Sequence, residues 1–360
     1  MRRAITASLA AIGLLALCAA AAELAARGLL AWSDARRASK VAPLSTLDVY
    51  RGVPWSKDYW SEWRRAVRLP QTLRYTGDGI LHLQAFHGRA INIEDSGLRR
   101  TTHCECTQPS LRIAMYGGSM LWGHGSDDEH TIPSLVAARF ERRGQRVCIR
   151  NHGEWGSTSA RSVAELERDL RNGEKPDIVI LYAGSYDVKE TIFGNEMDNW
   201  IMEPRDDAGL ALPRLLRRAR RAPPTAAERL KPGDEVEIRD RSIERFLATE
   251  KTFVALARAY GFRPVVIWHP YLLASSKRMT SSEAATIRNF DKTLPVMAGA
   301  IRAAYAAMRN HHEEHFENLS GALDTESGTM FLDAGHLSPA ANGLVAERIV
   351  SIIDARRASR

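Results

Sequence analysis

The sequence has little cysteine and lacks the common cofactor and metal motifs. Its 360 residues include four cysteines, with no C-x-x-C pair and no Cys/His spacing of the kind that holds structural zinc. The G-x-G-x-x-G pattern of dinucleotide sites, the G-K-S/T phosphate loop and the G-x-S-x-G serine turn are also absent. These absences argue against a structural zinc and a nucleotide cofactor, and we expect neither a metal nor a cofactor.

Basic residues outnumber acidic ones and give a formal net charge of +7. No basic motif interleaved with aromatic residues accompanies this charge, so we interpret it as a solvated basic surface and expect no nucleic-acid partner. The run HHEEH places His311 and His315 one helical turn apart. Because this is not the HExxH pattern of zinc enzymes, we favour a solvated helix end over a metal site.

Long uncharged runs are scarce as well, and the one at the amino terminus is therefore informative. Residues 4–22 carry no charge and follow Arg2 and Arg3. The run is long enough to span a bilayer, and the alanines before Glu23 also match a cleavable signal peptide. We predict that residues 1–30 form a signal anchor or a signal peptide. The rest of the chain then lies in the periplasm on an inner-membrane anchor, or is secreted if the segment is cleaved.

An extracytoplasmic compartment permits disulfides. Cys18 lies inside the apolar run, Cys104 and Cys106 precede the first predicted strand of the main domain, and Cys148 lies in the next predicted strand. If these strands are neighbours, Cys148 could bond to Cys104 or to Cys106. Free buried thiols are the alternative, and the sequence does not decide between them.

The pattern of apolar residues changes at residue 111. Residues 31–110 form an irregular, partly β extension that includes the strand-like piece GILHLQAFHGRAINI. Over residues 111–356, apolar runs of strand length alternate with helical segments, including a long helix near 282–310 and a last short strand in MFLD. This alternation predicts a parallel sheet covered by helices on both faces. A basic insertion at about 193–240, which contains LPRLLRRARRAPP, is interpreted as a surface excursion.

Side chains directly after the predicted strands are the candidates for chemistry, because ligands in such folds bind beyond the carboxyl ends of the strands. Ser119 follows the first strand through two glycines, which allow a sharp turn. NHGEWG and AGSYD follow the next two strands, and Asp333 and His336 share the later segment MFLDAGHLS. A serine nucleophile needs a base, and the base needs an orienting carboxylate. Asp333 and His336 could serve Ser119 in these roles, and a helix-capping turn is the alternative.

In this order, GGS, NHGEWG, GSYD and DAGH resemble the motifs of the SGNH (GDSL-like) hydrolases, and NIEDSGLR resembles the membrane-anchored bacterial branch of that family. The resemblance covers about residues 110–356. It implies a flavodoxin-like three-layer α/β/α fold in which Ser119 is the nucleophile, His336 the general base and Asp333 its orienting partner. It also implies that the backbone N–H groups of Ser119 and Gly156 donate to the oxyanion.

One motif departs from the family pattern. The third block is usually Gly-x-Asn-Asp, whose asparagine donates to the oxyanion, and Tyr186 stands in its place. A tyrosine hydroxyl can also donate one hydrogen bond, from a longer arm. The resemblance implies an extracytoplasmic serine esterase that forms an acyl-enzyme, with O-acyl groups of an envelope polysaccharide as a candidate substrate. An O-acyltransferase with the same triad and a non-catalytic carbohydrate-binding or assembly protein are the alternatives. The expected partners are the acylated substrate and the membrane.

Overall fold

The C-terminal part of the chain forms a domain around a parallel five-stranded sheet. The computed structural model describes residues 2–38, 44–67, 72–75, 81–194, 210–219 and 225–358. Within these residues the strands are, in chain order, β1 (Leu73–Tyr75), β2 (Leu81–Leu83), β3 (Phe86–His87), β4 (Asn92–Ile93), β5 (Leu111–Gly117), β6 (Val147–Gly153), β7 (Ile178–Ala183), β8 (Arg263–Trp268) and β9 (Phe316–Asn318). The α-helices are α1 (Arg2–Ala38), α2 (Ser56–Ala66), α3 (Ser119–Trp122), α4 (Ile132–Glu141), α5 (Ser159–Arg171), α6 (Ser185–Phe193), α7 (Ala211–Ala219), α8 (Ala226–Arg229), α9 (Asp234–Tyr260), α10 (Ser281–Thr293), α11 (Pro295–Met308) and α12 (Pro339–Ala358).

The large sheet has the strand order β6-β5-β7-β8-β9, and every neighbouring pair in it is parallel. Alternate residues of a strand face opposite sides of a sheet. Ile113 and Met115 accordingly pack with α4 and α12, whereas Ala114 and Tyr116 pack with α5, α9 and α11. Helices cover both faces, which explains why β5, β7 and β8 are mostly apolar. The structure confirms the predicted three-layer α/β/α sandwich with its parallel sheet.

The extension packs against the segment that follows α3. Tyr59 and Trp60 of α2 share a hydrophobic cluster with Trp122 of α3. Arg99 is only 1% exposed. Its Nε donates to an Asp128 carboxylate oxygen at 3.1 Å, and its guanidinium carbon lies 4.2 Å from the centre of the Trp122 ring. This part of the extension is therefore buried against the main domain, and the limits at residues 30, 110 and 356 stay predictions.

Two predicted elements differ in the structure. The helix expected near 282–310 is two helices, α10 and α11, because Pro295 has no N–H to donate and occupies the first position of a new helix. MFLD is not a strand, since Phe331 makes only an isolated bridge with Leu337. The last strand is β9, which the sequence did not predict.

The predicted insertion at about 193–240 falls partly outside the described residues, which omit 195–209 and 220–224. Between these gaps, α7 packs against α1 through Ala211, whose side chain clusters with Ala26 and Leu30. Farther along the chain, α9 already begins at Asp234, so the last part of the predicted excursion is the start of a long helix.

The amino-terminal segment is one long helix, α1, and its apolar stretch Ala11–Ser33 is long enough to cross a membrane. Glu23 lies within this stretch and accepts hydrogen bonds from the backbone N–H groups of Ala211 and Leu212 at 2.6 and 3.0 Å. The carboxylate thereby satisfies donors in the first turn of α7 that have no partner inside the helix. Both predicted alternatives, the anchor and the signal peptide, require an apolar helix of this kind.

Candidate active site

Ser119 is the first residue of α3, directly after β5. A Cβ on Gly117 would lie 2.8 Å from the carbonyl oxygen of Tyr182, and a Cβ on Gly118 would lie 3.0 Å from the Tyr186 ring. The two glycines therefore allow β5 to approach its neighbours more closely than any side chain would permit. The Ser119 side chain is fully buried at this edge of the sheet.

Ser119, His336 and Asp333 form a continuous hydrogen-bonded chain. Ser119 Oγ lies 2.7 Å from His336 Nε2, and His336 Nδ1 lies 2.7 Å from Asp333 Oδ2. The other carboxylate oxygen of Asp333 accepts the backbone N–H groups of Gly335 and His336, each at 2.8 Å. These bonds fix the loop and orient the imidazole so that Nε2 faces the serine, which is the arrangement that a general base requires. The structure brings together the three residues that the sequence singled out.

The electrostatics of Asp333 suit an orienting carboxylate. Burial acts to raise the pKa of Asp333, but the charge of His336 and the hydrogen bonds from His336 and Gly335 outweigh it and hold the pKa well below its usual value. The carboxylate is therefore ionised at neutral pH. It can stabilise the imidazolium that forms when His336 accepts the serine proton.

The predicted oxyanion donors lie at the same edge. Gly156 has a φ of 68°, a left-handed conformation that favours glycine. Within the described part of the chain, neither the Ser119 N–H nor the Gly156 N–H donates a hydrogen bond. The Tyr186 hydroxyl lies 3.2 Å from Ser119 Oγ. The next residue, Asp187, accepts the Gly184 N–H at 3.0 Å and so fixes the start of α6.

A buried ion pair that the sequence analysis missed holds the loop that carries His336. Lys277 Nζ lies 2.6 Å from Glu283 Oε2, and the two side chains are 0% and 1% exposed. The other carboxylate oxygen of Glu283 accepts the backbone N–H groups of Met330 and Phe331 at 2.9 and 3.3 Å. Burial acts to raise the pKa of Glu283, but Lys277 and the backbone donors hold it below its usual value. The carboxylate is therefore charged and fixes the loop just before the triad.

Aromatic residues line one side of His336. The ring centroids of His124 and Trp155 lie 4.2 and 6.3 Å from that of His336. Trp63 of α2 lies 5.4 Å from His124 and 5.9 Å from Trp155. Trp63 and Trp155 are partly exposed. We call His124, Trp63 and Trp155 the aromatic wall; the extension thus contributes a tryptophan to the surroundings of the triad. Burial, together with nearby His336, lowers the pKa of His124, so this ring is neutral.

A cavity of about 320 Å³ also opens beside His336, and we call it the side pocket. Among the described residues that line the side pocket, His336 is the one that also contacts the aromatic wall. Its lining comes from the loop that carries the triad base and from α3, α6, α10 and the segment after β8. The side chains that line it outside the triad loop are Met120, Ser185, Tyr186, Lys189, Tyr271, Thr286, Asn289 and Phe290.

The predicted cysteine site lies at the opposite end of β5 from Ser119. Cys106 and Cys148 form a disulfide, so the bond is to Cys106 and not to Cys104, the other predicted possibility. Cys104 is a free thiol whose Sγ lies 3.6 Å from Cys106 Sγ. The three cysteines line a cavity of about 440 Å³.

The histidines of HHEEH are not a solvated helix end. His311 Nε2 and His315 Nε2 lie 2.9 and 3.2 Å from the two carboxylate oxygens of Glu250, which is buried. A carboxylate with few water contacts needs such partners. The sequence prediction was wrong because Glu250 lies far away in the chain, on α9.

No protein-family model matches the chain, and a search of curated proteins finds no match. Similar solved structures include a carbohydrate acetylesterase family member from Sinorhizobium meliloti, with 15% identity, coverage of 68% of this chain and 97% of the other, and a TM-score of 0.36. They also include the psychrotrophic esterase EstA from Pseudoalteromonas sp., with 12% identity, 69% and 100% coverage, and a TM-score of 0.37. A member of the lipolytic protein G-D-S-L family from Veillonella parvula DSM 2008 has 13% identity, 68% and 98% coverage, and a TM-score of 0.34. Identities and TM-scores this low do not establish a shared activity, so the activity has to be inferred from the site.

Proposed function

We propose that this chain is an extracytoplasmic serine ester hydrolase that acts through an acyl-enzyme. The observation that carries the proposal is the hydrogen-bonded chain from Asp333 through His336 to Ser119, with 2.7 Å at each of its two steps. A serine and a histidine oriented by a carboxylate at these distances form an activated nucleophile. The apolar stretch Ala11–Ser33 supports export or anchoring of the chain.

The reaction follows from the geometry. His336 Nε2 accepts the hydroxyl proton as Ser119 Oγ attacks the ester carbonyl carbon. The negative charge on the carbonyl oxygen is stabilised by the free N–H groups of Ser119 and Gly156, with the Tyr186 hydroxyl as third donor. The imidazolium then protonates the leaving alcohol, and the acyl group stays on Ser119. A water activated by His336 attacks the acyl-enzyme and releases the acid.

The surroundings of the triad favour an O-acylated carbohydrate as the substrate. The partly exposed rings of Trp63 and Trp155 can stack on the apolar face of a sugar, since aromatic rings offer large, rigid contact areas. The side pocket of about 320 Å³ can take a short acyl chain. The ester bond would then lie between the two, next to Ser119.

Covalent labelling tests the proposal. The full-length chain in detergent should react with a fluorophosphonate probe and hydrolyse p-nitrophenyl acetate, whereas Ser119→Ala should do neither. Ser157→Ala is a matched control, because Ser157 is a buried serine in the segment after β6 whose hydroxyl bonds to Thr158 and Ser162 and not to His336. If the wild-type chain shows neither labelling nor turnover, the hydrolase proposal is wrong and the alternative of a non-catalytic binding or assembly protein is favoured.

An acyltransferase would use the same three residues and differ only in its acceptor. The aromatic wall could hold an acceptor sugar as well as a substrate sugar, so this alternative has a structural basis. Turnover of p-nitrophenyl acetate in the presence of excess oligosaccharide separates the two activities. Mass spectrometry that finds acetylated oligosaccharide in place of acetate would favour the transferase.

A further inference from the structure

Lys189 places a positive charge in the side pocket. It follows Tyr186 by three positions on α6, so the two side chains share one face of the helix. The Lys189 ammonium lies 4.8 Å from the centre of the Tyr186 ring and 5.4 Å from that of Tyr271. Two aromatic faces thus hold the cation at a defined position. The same Tyr186 contacts Ser119 Oγ through its hydroxyl at 3.2 Å, so one tyrosine side chain separates the cation from the nucleophile.

Lys189 has no ion-pair partner in the part of the chain that the structure describes. Among the described residues, no carboxylate lies within ion-pair distance of its ammonium group. Glu190, the next residue, pairs with Arg245 at 3.4 Å. Asp187 bonds inward to the Gly184 N–H, and Asp333 bonds to His336. A cation held at a fixed place without a counter-ion attracts an anionic group of a ligand.

The other residues of the side pocket suit an acyl chain that is apolar in the middle and polar at its end. Met120 and Phe290 are apolar, and Tyr271 offers a ring face. Thr286 and Asn289 of α10 are neutral and can donate hydrogen bonds. Among the described residues that line the pocket, Asp333 is the one acidic residue, and it is bonded to His336. A neutral acyl chain would leave the ammonium group without a partner when it displaces water.

We infer that the side pocket accepts an acyl group that ends in a carboxylate, so that the substrate is a half-ester of a short dicarboxylic acid. The inference rests on the proposed hydrolase function and names its acyl group. The ester carbonyl lies at Ser119, the methylene groups pass between Met120, Tyr271 and Phe290, and the terminal carboxylate pairs with Lys189. Lys189 is then a residue that determines specificity and takes no part in the proton transfers.

Two matched ester pairs test this inference. Mono-phenyl adipate and phenyl hexanoate have acyl chains of equal length and differ in the terminal carboxylate. We expect the wild-type chain to favour the adipate by about tenfold in kcat/KM, which is what a charge-assisted hydrogen bond of about 1.4 kcal/mol would give. The preference should fall with increasing salt. It should be lost in Lys189→Met and largely kept in Lys189→Arg.

The second pair tests whether Lys189 binds a carboxylate on the acyl group or one on the alcohol part of the ester. 4-Acetoxybenzoate and phenyl acetate have the same acetyl group and differ in a carboxylate that 4-acetoxybenzoate carries on its alcohol part. A preference for 4-acetoxybenzoate that disappears in Lys189→Met would overturn the assignment to the acyl group. Equal kcat/KM for the adipate and the hexanoate in the wild-type chain would overturn the inference altogether, as would a preference that Lys189→Met keeps.

Controls keep failure of the inference distinct from failure of the hydrolase proposal. Lys251→Met removes an exposed lysine on α9, away from the pocket, and should behave as the wild type. Fluorophosphonate labelling of Ser119 in Lys189→Met shows that the variant is folded and its serine activated. If neutral esters are hydrolysed in a Ser119-dependent way without an adipate preference, only the inference about Lys189 fails. If no ester is hydrolysed and Ser119 is not labelled, the hydrolase proposal itself fails.

Discussion

The Tyr186 hydroxyl lies 3.2 Å from Ser119 Oγ, close enough for a hydrogen bond to the atom that would attack the substrate. We expect Tyr186→Phe to lower kcat by about 10²-fold, because loss of one oxyanion donor typically costs about 10² to 10³ in turnover. KM should change little, since the hydroxyl would act mainly on charge that develops in the transition state. Initial rates with p-nitrophenyl acetate measure both constants.

Tyr186→Asn is the matched variant for that prediction, because asparagine is the residue that the resemblance leads one to expect at this position. An amide placed closer to the backbone can also donate, so this variant should be faster than Tyr186→Phe. Unchanged kcat in Tyr186→Phe would mean that the hydroxyl is not a donor. The tyrosine would then serve only to fill space and to hold Lys189.

Removal of one partner of the Lys277–Glu283 pair should unfold the region around the triad. We expect Glu283→Gln to lower the free energy of unfolding by about 3–5 kcal/mol, because it leaves the fully buried ammonium of Lys277 without a counter-charge. The backbone N–H groups of Met330 and Phe331 also lose a charged acceptor. Thermal unfolding of the detergent-solubilised chain measures the loss of stability.

The double variant Lys277→Met/Glu283→Gln is the control for this prediction. It removes both charges, so most of the lost stability should return. The glutamine side chain at position 283 keeps a carbonyl oxygen that can accept the loop N–H groups. Fluorophosphonate labelling of Ser119 should therefore return together with the stability. A double variant as unstable as Glu283→Gln alone would show that the carboxylate itself, and not the unpaired lysine, determines stability at this site.

The sequence predicted the residues of the triad because each of them follows a simple pattern. Ser119 follows the apolar strand β5 at the sheet edge where ligands bind in such folds. Asp333 and His336 lie three residues apart in one segment, as a base and its orienting carboxylate can, although MFLD before them is not a strand. The sequence did not predict the support behind them. Glu283 is the fourth residue of a T-x-x-E capping box that starts at Thr280, and this pattern indicates only a helix start. Its pairing with Lys277 and the bonds to Met330 and Phe331 depend on tertiary packing.

The two errors in element prediction have different physical origins. The helix break could have been predicted, because Pro295 lies inside the apolar pattern and proline interrupts helices. Strand β9 could not have been predicted, because Phe316–Asn318 is only three residues long and lies at the edge of the sheet. Its pairing with β8 comes from its place in the fold, and a local pattern this short carries little information. The sequence likewise did not indicate that His124 lies beside the triad, since its contact with His336 joins distant parts of the chain.

The His82–Glu154 pair should make stability depend on pH. His82 Nδ1 lies 2.7 Å from Glu154 Oε1, and the two residues are 2% and 8% exposed. Burial raises the pKa of Glu154 to about 7. Burial acts to lower the pKa of His82, but the hydrogen bond and charge of Glu154 raise it overall. Both groups thus hold protons more tightly in the folded state than in the unfolded state.

The sign of the pH effect follows from these two shifts. A raised folded-state pKa gives stability that is present at low pH and is lost as pH rises through the folded pKa, here about 7 for Glu154. We expect the free energy of unfolding to fall by about 1 kcal/mol between pH 6 and pH 8.5. Glu154→Gln, which cannot ionise, should show a smaller fall. If the wild type and Glu154→Gln have the same slope between these pH values, the pair is not responsible. Thermal unfolding at the two pH values measures the difference.

Cys104 should exchange with the disulfide beside it. Its Sγ lies 3.6 Å from Cys106 Sγ, so a Cys104 thiolate can attack Cys106, form a Cys104–Cys106 bond and release the Cys148 thiolate without any external oxidant. Burial raises the pKa of Cys104, even though the Ile149 N–H donates to its sulfur. Exchange should therefore be slow at neutral pH and faster in alkaline solution, where more of the thiol is ionised.

Tryptic peptide mapping measures this exchange directly. Cys104 and Cys106 share one tryptic peptide, TTHCECTQPSLR, whereas Cys148 lies in VCIR. The native bond links the two peptides, and the exchanged bond leaves VCIR free to react with an alkylating agent. Incubation at pH 9 before quenching with acid should increase alkylated VCIR relative to incubation at pH 7, and Cys104→Ser should abolish the increase. If VCIR stays linked at both pH values, Cys104 does not reach the bond and the disulfide is inert despite its neighbouring thiol.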